Sequence, residues 1–196
     1  MTLLSTLIRK ETVPHAFLFT GIEGVGKQCV AMMFAMACNC SEIAGPLSVV
    51  SGPSQQTTDY ELRTTDPCGL CRSCKKIQSG NHPDICVVEP SGVFIRIDQI
   101  RSLCHTLSMK PYEAKIRVAI IANAGAMNPE AGNALLKVLE EPPDRTVLIL
   151  TAVQTTDLLP TILSRCQHIR FNPILREDLE SLLIRRQGLD PDEAMI

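Results

Sequence analysis

An apolar run, His15-Ala-Phe-Leu-Phe-Thr-Gly21, leads directly into GIEGVGKQ, Gly21 to Gln28, and the chain from Lys27 to about Cys40 is rich in Ala and Met with neither Gly nor Pro. Strand, glycine-rich loop and helix in immediate succession is the setting of the phosphate-binding loop G-x-x-x-x-G-K-[S/T]. Seven of the eight positions match. The departure is the last, where Gln28 stands in place of a hydroxyl.

A phosphate loop after a strand commits the chain to α/β architecture, and the remaining pattern follows suit. DICVVE (Asp84 to Glu89), RVAIIA (Arg117 to Ala122) and VLILT (Val147 to Thr151) are continuous apolar runs of the kind buried on both faces. Helical patterns lie between them, Asp98 to about Leu107 and Pro129 to Glu141, the second stopped by Pro142-Pro143. A fifth strand is expected at His168 to Phe171. The expectation is a parallel five-stranded sheet flanked by helices, occupying residues 1–172. Ser41 to Pro67 is rich in Ser, Thr, Gly, Pro and Gln and reads as an irregular insertion. After Asn172-Pro173 the pattern turns to charged helix, so a second, helical unit is expected to begin at 173 and to be cut short at 196.

In a working loop the glycines curve backbone N–H groups around the phosphates, the lysine reaches the outer phosphates, and the following hydroxyl holds Mg²⁺. Gly21, Gly24, Gly26 and Lys27 supply the first two functions. Gln28 is too long for a tight Mg²⁺ shell. The carboxylate that completes such a metal site belongs at the end of a neighbouring strand, yet Arg117 to Ala122 runs into Asn123-Ala124-Gly125. Both defects fall on the metal, so phosphate binding is expected to be weak or lost, and hydrolysis lost with it.

Nine cysteines is an odd count, and three of them form Cys68-Gly-Leu-Cys71-Arg-Ser-Cys74. The C-x₂-C-x₂-C spacing suits a tetrahedral Zn²⁺, with Gly69 easing the turn. A fourth ligand is required, for which Cys40, Cys38 and His82 are available. Cys40 is preferred, because it pins the far end of the 41–67 insertion. The zinc module then spans about 40–80. Four protein ligands leave no open position, so the site is expected to be structural.

GIEGVGK, the pair Asn39-Cys40, CGLCRSC, NALLKVLEEPP (Asn133 to Pro143) and LLPTILSRC (Leu158 to Cys166), in this order, together resemble the bacterial clamp loader of DNA polymerase III. This AAA+ assembly opens the sliding clamp and places it on primed DNA in replication. The resemblance implies an AAA+ domain followed by a helical lid domain and a collar, the last absent here. It implies zinc held by Cys40, Cys68, Cys71 and Cys74. It also implies that Arg165 acts as an arginine finger, in trans, on ATP held by an adjacent subunit. Because the metal-site chemistry is missing, the chain resembles a non-hydrolysing, stator-type member rather than an ATP-hydrolysing tau/gamma subunit. Implied partners are tau/gamma and delta subunits in a hetero-oligomer, with the clamp and primed DNA reached through the assembly.

The alternative within the family is a tau/gamma-type ATPase, against which Gln28 and Asn123 argue. A zinc-stabilised DNA-binding module is a third reading. A net charge of −2 and 4% aromatic residues oppose it. Mixed composition with no long apolar run and no export signal points to a cytoplasmic protein with no membrane span.

Overall fold

A computed structural model describes residues 2–9, 13–43, 66–175 and 178. Most of the 41–67 insertion and nearly all of the expected helical unit at 173–196 lie outside the described residues. In chain order the elements are α1 (Thr2–Arg9), β1 (Ala16–Thr20), α2 (Lys27–Asn39), α3 (Arg72–Gln78), β2 (Ile85–Val88) and α4 (Ile97–Ser108). They continue with β3 (Arg117–Ile121), α5 (Pro129–Glu140), β4 (Thr146–Ala152), α6 (Pro160–Leu163) and β5 (Gln167–Arg170).

The strands form one parallel sheet in the order β2-β3-β4-β1-β5. The expected α/β class and five-stranded parallel sheet are therefore present. Side chains alternate across each strand, and the three inner strands β3, β4 and β1 are buried on both faces, whereas β2, expected to be buried, is only half-buried at the sheet's edge and β5 is largely exposed. Ala16 and Leu18 of β1, Ala119 and Ile121 of β3, and Leu148 and Leu150 of β4 point into a core shared with α4, α5 and α6. Phe17 and Phe19, Val118 and Ile120, and Val147 and Ile149 point the other way, against α1, α2 and α3. This two-sided burial is why the runs of β1, β3 and β4 read as continuously apolar.

Local signals set the helix ends. Asn128 accepts from the Ala131 N–H at 2.9 Å and Pro129 opens α5, a polar cap followed by a residue with no N–H to lose. One face of α5 is buried at Leu135, Val138 and Leu139, with Ala134 half-buried beside it, while Asn133, Lys137 and Glu140 are exposed.

Two buried polar groups tie the segment before β3 to the rest. Asp84 accepts from the N–H groups of Tyr112, Glu113 and Ala114 at 2.7–2.8 Å and pairs with Arg117 at 3.2 Å. The Arg117 guanidinium also donates to the carbonyls of Thr106, Leu107 and Met109, closing the C-terminal end of α4. Asn39, at the end of α2, accepts from the N–H groups of Lys115 and Ile116 and donates to the carbonyls of Ala35 and Ile116.

Candidate phosphate loop, cysteine cluster and arginine

β1 delivers the chain to Gly21 at the carboxyl edge of the sheet, where open α/β sheets place their ligands. A Cβ at Gly21 would lie 2.6 Å from the Phe171 carbonyl oxygen, so the loop can leave the sheet beside the chain end of β5 only through a glycine. Gly26 sits in the left-handed region at φ 90° as the N-cap of α2, and no side chain caps the helix there. Strand, glycine turn and helix thus follow one another in the order that the motif demands.

Its polar groups are engaged internally. The Lys27 ammonium donates to the carbonyls of Gly21 and Ile22, both at 2.7 Å. Partial burial lowers its pKa from the ordinary value, a shift that the Glu23 carboxylate opposes. Gln28 donates through Nε2 to Glu89 Oε1 at 2.9 Å, a residue just past β2. A cleft of about 320 Å³ lies over the loop, and the ends of β3 and β4 close it with Asn123 and Thr151. Asn123, where a carboxylate was sought, is left-handed at φ 51° and donates its N–H to Thr151 Oγ1 at 3.0 Å. Asn tolerates that conformation better than most side chains. Glu89 and Thr151 were not singled out from sequence; a carboxylate 61 residues from Gln28 and a hydroxyl 28 residues from Asn123 have no local signal.

The four cysteines Cys40, Cys68, Cys71 and Cys74 converge, their Sγ atoms all within 4.8 Å of one another. Cys40 is the C-cap of α2 and Cys71 the N-cap of α3, so the cluster joins two helices across the insertion. Lys115 Nζ donates to the Cys40 carbonyl at 3.0 Å, which holds that backbone beside the Asn39 hydrogen bonds. The Cys71 N–H donates to Cys68 Sγ at 3.3 Å and the Cys74 N–H to Cys71 Sγ at 3.5 Å. Burial raises the Cys71 pKa, but hydrogen bonds from the Ser41 and Cys74 backbones outweigh it and leave the thiol at about 6. Burial, and then the neighbouring Cys71, push Cys74 up to about 12. Such a set cannot ionise fully without a cation among the sulfurs. Thiolates about 2.3 Å from Zn²⁺ stand about 3.8 Å apart in a tetrahedron, so the cluster fits a four-coordinate zinc.

The two other cysteine-site candidates lie outside the cluster. Burial alone carries the Cys38 thiol to about 12. His82 is buried, its Nδ1 accepts from the Asp84 N–H at 3.2 Å, and its Nε2 faces Glu113 at 3.8 Å.

Arg165 follows α6 and stands apart from the phosphate cleft of its own chain. Its Nη2 donates to Glu140 Oε1 at 2.7 Å, and its Nη1 donates to the Thr161 carbonyl at 2.9 Å and to Ser164 Oγ at 3.4 Å. The side chain is about one-third exposed.

The parallel sheet in this order, with a glycine loop between β1, the strand beside the central β4, and the following helix α2, defines a P-loop domain of the AAA+ type. A sequence profile described as DNA polymerase III, delta subunit, matches residues 1–175. The chain belongs to that family. It is 36% identical to DNA polymerase III subunit delta' of Bacillus subtilis over all of its length and 53% of that protein's. It is 32% identical to subunit tau/gamma of Haemophilus influenzae over 85% of this chain and 21% of that one. The chain thus spans about half the length of the delta' relative. A solved DNA polymerase III gamma subunit-related protein of Thermotoga maritima superposes with a TM-score of 0.63 at 22% identity, over 98% of this chain and 57% of that one, a likeness of fold.

Proposed function

We propose that this chain is the AAA+ portion of a delta'-type, non-hydrolysing stator subunit of the bacterial clamp loader. The observation that carries the reading is the self-satisfied phosphate loop. Lys27 spends its ammonium on two loop carbonyls and Gln28 is bound to Glu89. Asn123, at the end of β3, brings no carboxylate to the cleft. Gln28 and Asn123 occupy the two positions at which the motif supplies a hydroxyl and a carboxylate to Mg²⁺, so the metal that offsets charge on a transferring phosphoryl group lacks its usual protein ligands.

In this reading Arg165 is the contribution to catalysis, offered in trans to ATP on an adjacent tau/gamma subunit, because a permanently charged planar donor stabilises phosphoryl charge. Cys40, Cys68, Cys71 and Cys74 hold a structural zinc, and when bound the metal supplies the positive charge that lets all four thiols ionise. The AAA+ domain covers 1–172, with a lid domain starting at 173. The subunit works in the cytoplasm within a hetero-oligomer of tau/gamma and delta, which acts on the sliding clamp and primed DNA. A tau/gamma-type ATPase is the second reading, favoured by the identity to tau/gamma relatives.

Titration calorimetry with Mg-ATP and an ATPase assay on the chain alone separate the two. The stator reading expects no saturable heat and no turnover. Tight Mg-ATP binding with hydrolysis would overturn it.

A further inference from the structure

The α5 helix ends in two adjacent carboxylates, and they differ. Glu140 meets Arg165 at 2.7 Å, whereas Glu141 makes no ion pair among the described residues. A carboxylate in the last turn opposes the helix dipole, so Glu140 is not placed for the benefit of α5. Its side chain is half exposed, and an ion pair at that exposure adds little to folding.

The pair nevertheless bridges two elements whose spacing is tightly set. A Cβ on Gly132 of α5 would come within 3.0 Å of Leu159 and 3.7 Å of Ile162, which fixes how closely α5 and the α6 segment approach. Across that contact the guanidinium is gripped from two directions, by Glu140 on Nη2 and by the Thr161 carbonyl on Nη1. Two gripped edges define the plane of a rigid fork. Of its five N–H groups, the one on Nε and the second on Nη2 have no partner among the described residues, and the group is one-third exposed.

We infer that Glu140 is a positioning residue for Arg165. It holds the guanidinium plane so that two N–H groups stay free for an anionic oxygen on a neighbouring molecule. The inference rests on the trans role proposed above for Arg165. A free arginine would have to lose its rotamer freedom on docking, whereas one held by Glu140 and Thr161 has lost it beforehand.

The test uses a clamp loader reconstituted from the protein in its native length with tau/gamma and delta subunits, sliding clamp and primed DNA, with ATPase rate read against ATP concentration. Arg165→Ala is expected to remove most of the clamp-dependent rate. Glu140→Ala is expected to lower kcat about tenfold with KM for ATP unchanged, the mark of lost orientation rather than lost binding. Glu140→Gln, whose amide oxygen still accepts from Nη2, should recover much of the rate, and Glu141→Ala should behave as wild type. Thermal midpoints of the isolated variants should match wild type. A normal Arg165→Ala rate would sink the trans role and this inference together. A reduced Arg165→Ala rate with an unimpaired Glu140→Ala loader would overturn the positioning claim alone, as would a Glu140→Gln rate as low as that of Glu140→Ala.

Discussion

Asp84 illustrates how a single side chain acquires a role that its neighbours in sequence do not announce. It opens the apolar run DICVVE and reads as a strand boundary, yet its carboxylate is almost fully buried and gathers three backbone N–H groups from residues 112–114 together with Arg117. Burial alone would raise its pKa. The hydrogen bonds from Glu113, Tyr112 and Ala114 and the Arg117 guanidinium reverse that and bring it down to about 2. The folded value lies below the ordinary carboxylate value, so the charged form stabilises the fold above about pH 4, and this contribution disappears as pH falls toward 2. Urea unfolding of wild type and Asp84→Asn between pH 5 and pH 2 should show wild type losing about 2 kcal/mol more than the variant. Parallel loss in the two chains would mean that Asp84 is not the titrating group. Asn39 has the same lesson: the "NC" pair marked it in sequence, but its partners at Ala35, Lys115 and Ile116 lie on two different segments.

Elements were legible in proportion to the length and burial of their patterns. β1, β3 and β4 are buried along their whole length, and such runs of Val, Ile, Leu and Phe allow few other readings. The helix α3 escaped notice for a physical reason. It has seven residues, and its N-cap is the thiol of Cys71, whose Sγ accepts the Cys74 N–H, in place of the Ser, Thr, Asp or Asn that ordinarily signals a helix start. A helix this short depends on tertiary ties, here the packing of Cys74 and Ile77 against the α2 side of the sheet. The zinc reading makes a sharp prediction at this scale. Chelation at neutral pH should release one zinc per chain and lower the melting temperature by at least about 5 °C, since a few kcal/mol shifts a domain of this size by that much or more. Cys40→Ser should lower zinc content as chelation does, whereas Cys38→Ser should retain the metal. Zinc content unaltered by Cys40→Ser would remove that residue from the site.

At the level of the whole molecule, alternating strands and helices pointed to a parallel sheet, but strand order is a long-range property and had to come from the structure. The order matters to the chemistry. β4 lies between β1 and β3, so the cleft over the glycine loop receives Thr151 to Val153 from the end of β4 as well as Ala122 and Asn123 from just past β3, while the Glu89 that holds Gln28 follows β2 at the sheet's edge. The two departures from a working loop are thus parts of one surface and should respond together. Gln28→Thr supplies the missing hydroxyl and releases Glu89. Asn123→Asp supplies a carboxylate at a position whose left-handed backbone Asp accepts. Either change alone leaves the Mg²⁺ shell incomplete, and the aspartate alone adds negative charge to the cleft over the glycine loop. The pair should raise Mg-ATP affinity at least about tenfold, with a gain beyond the sum of the single variants, as expected for residues that share one ligand. Hydrolysis should stay low even then, because the arginine that would stabilise the reacting phosphate does not line this cleft. Calorimetry on the four proteins tests this directly. Strictly additive effects, or a wild-type chain that already binds Mg-ATP as tightly as the double variant, would show that the loop's chemistry had not been lost at these two positions.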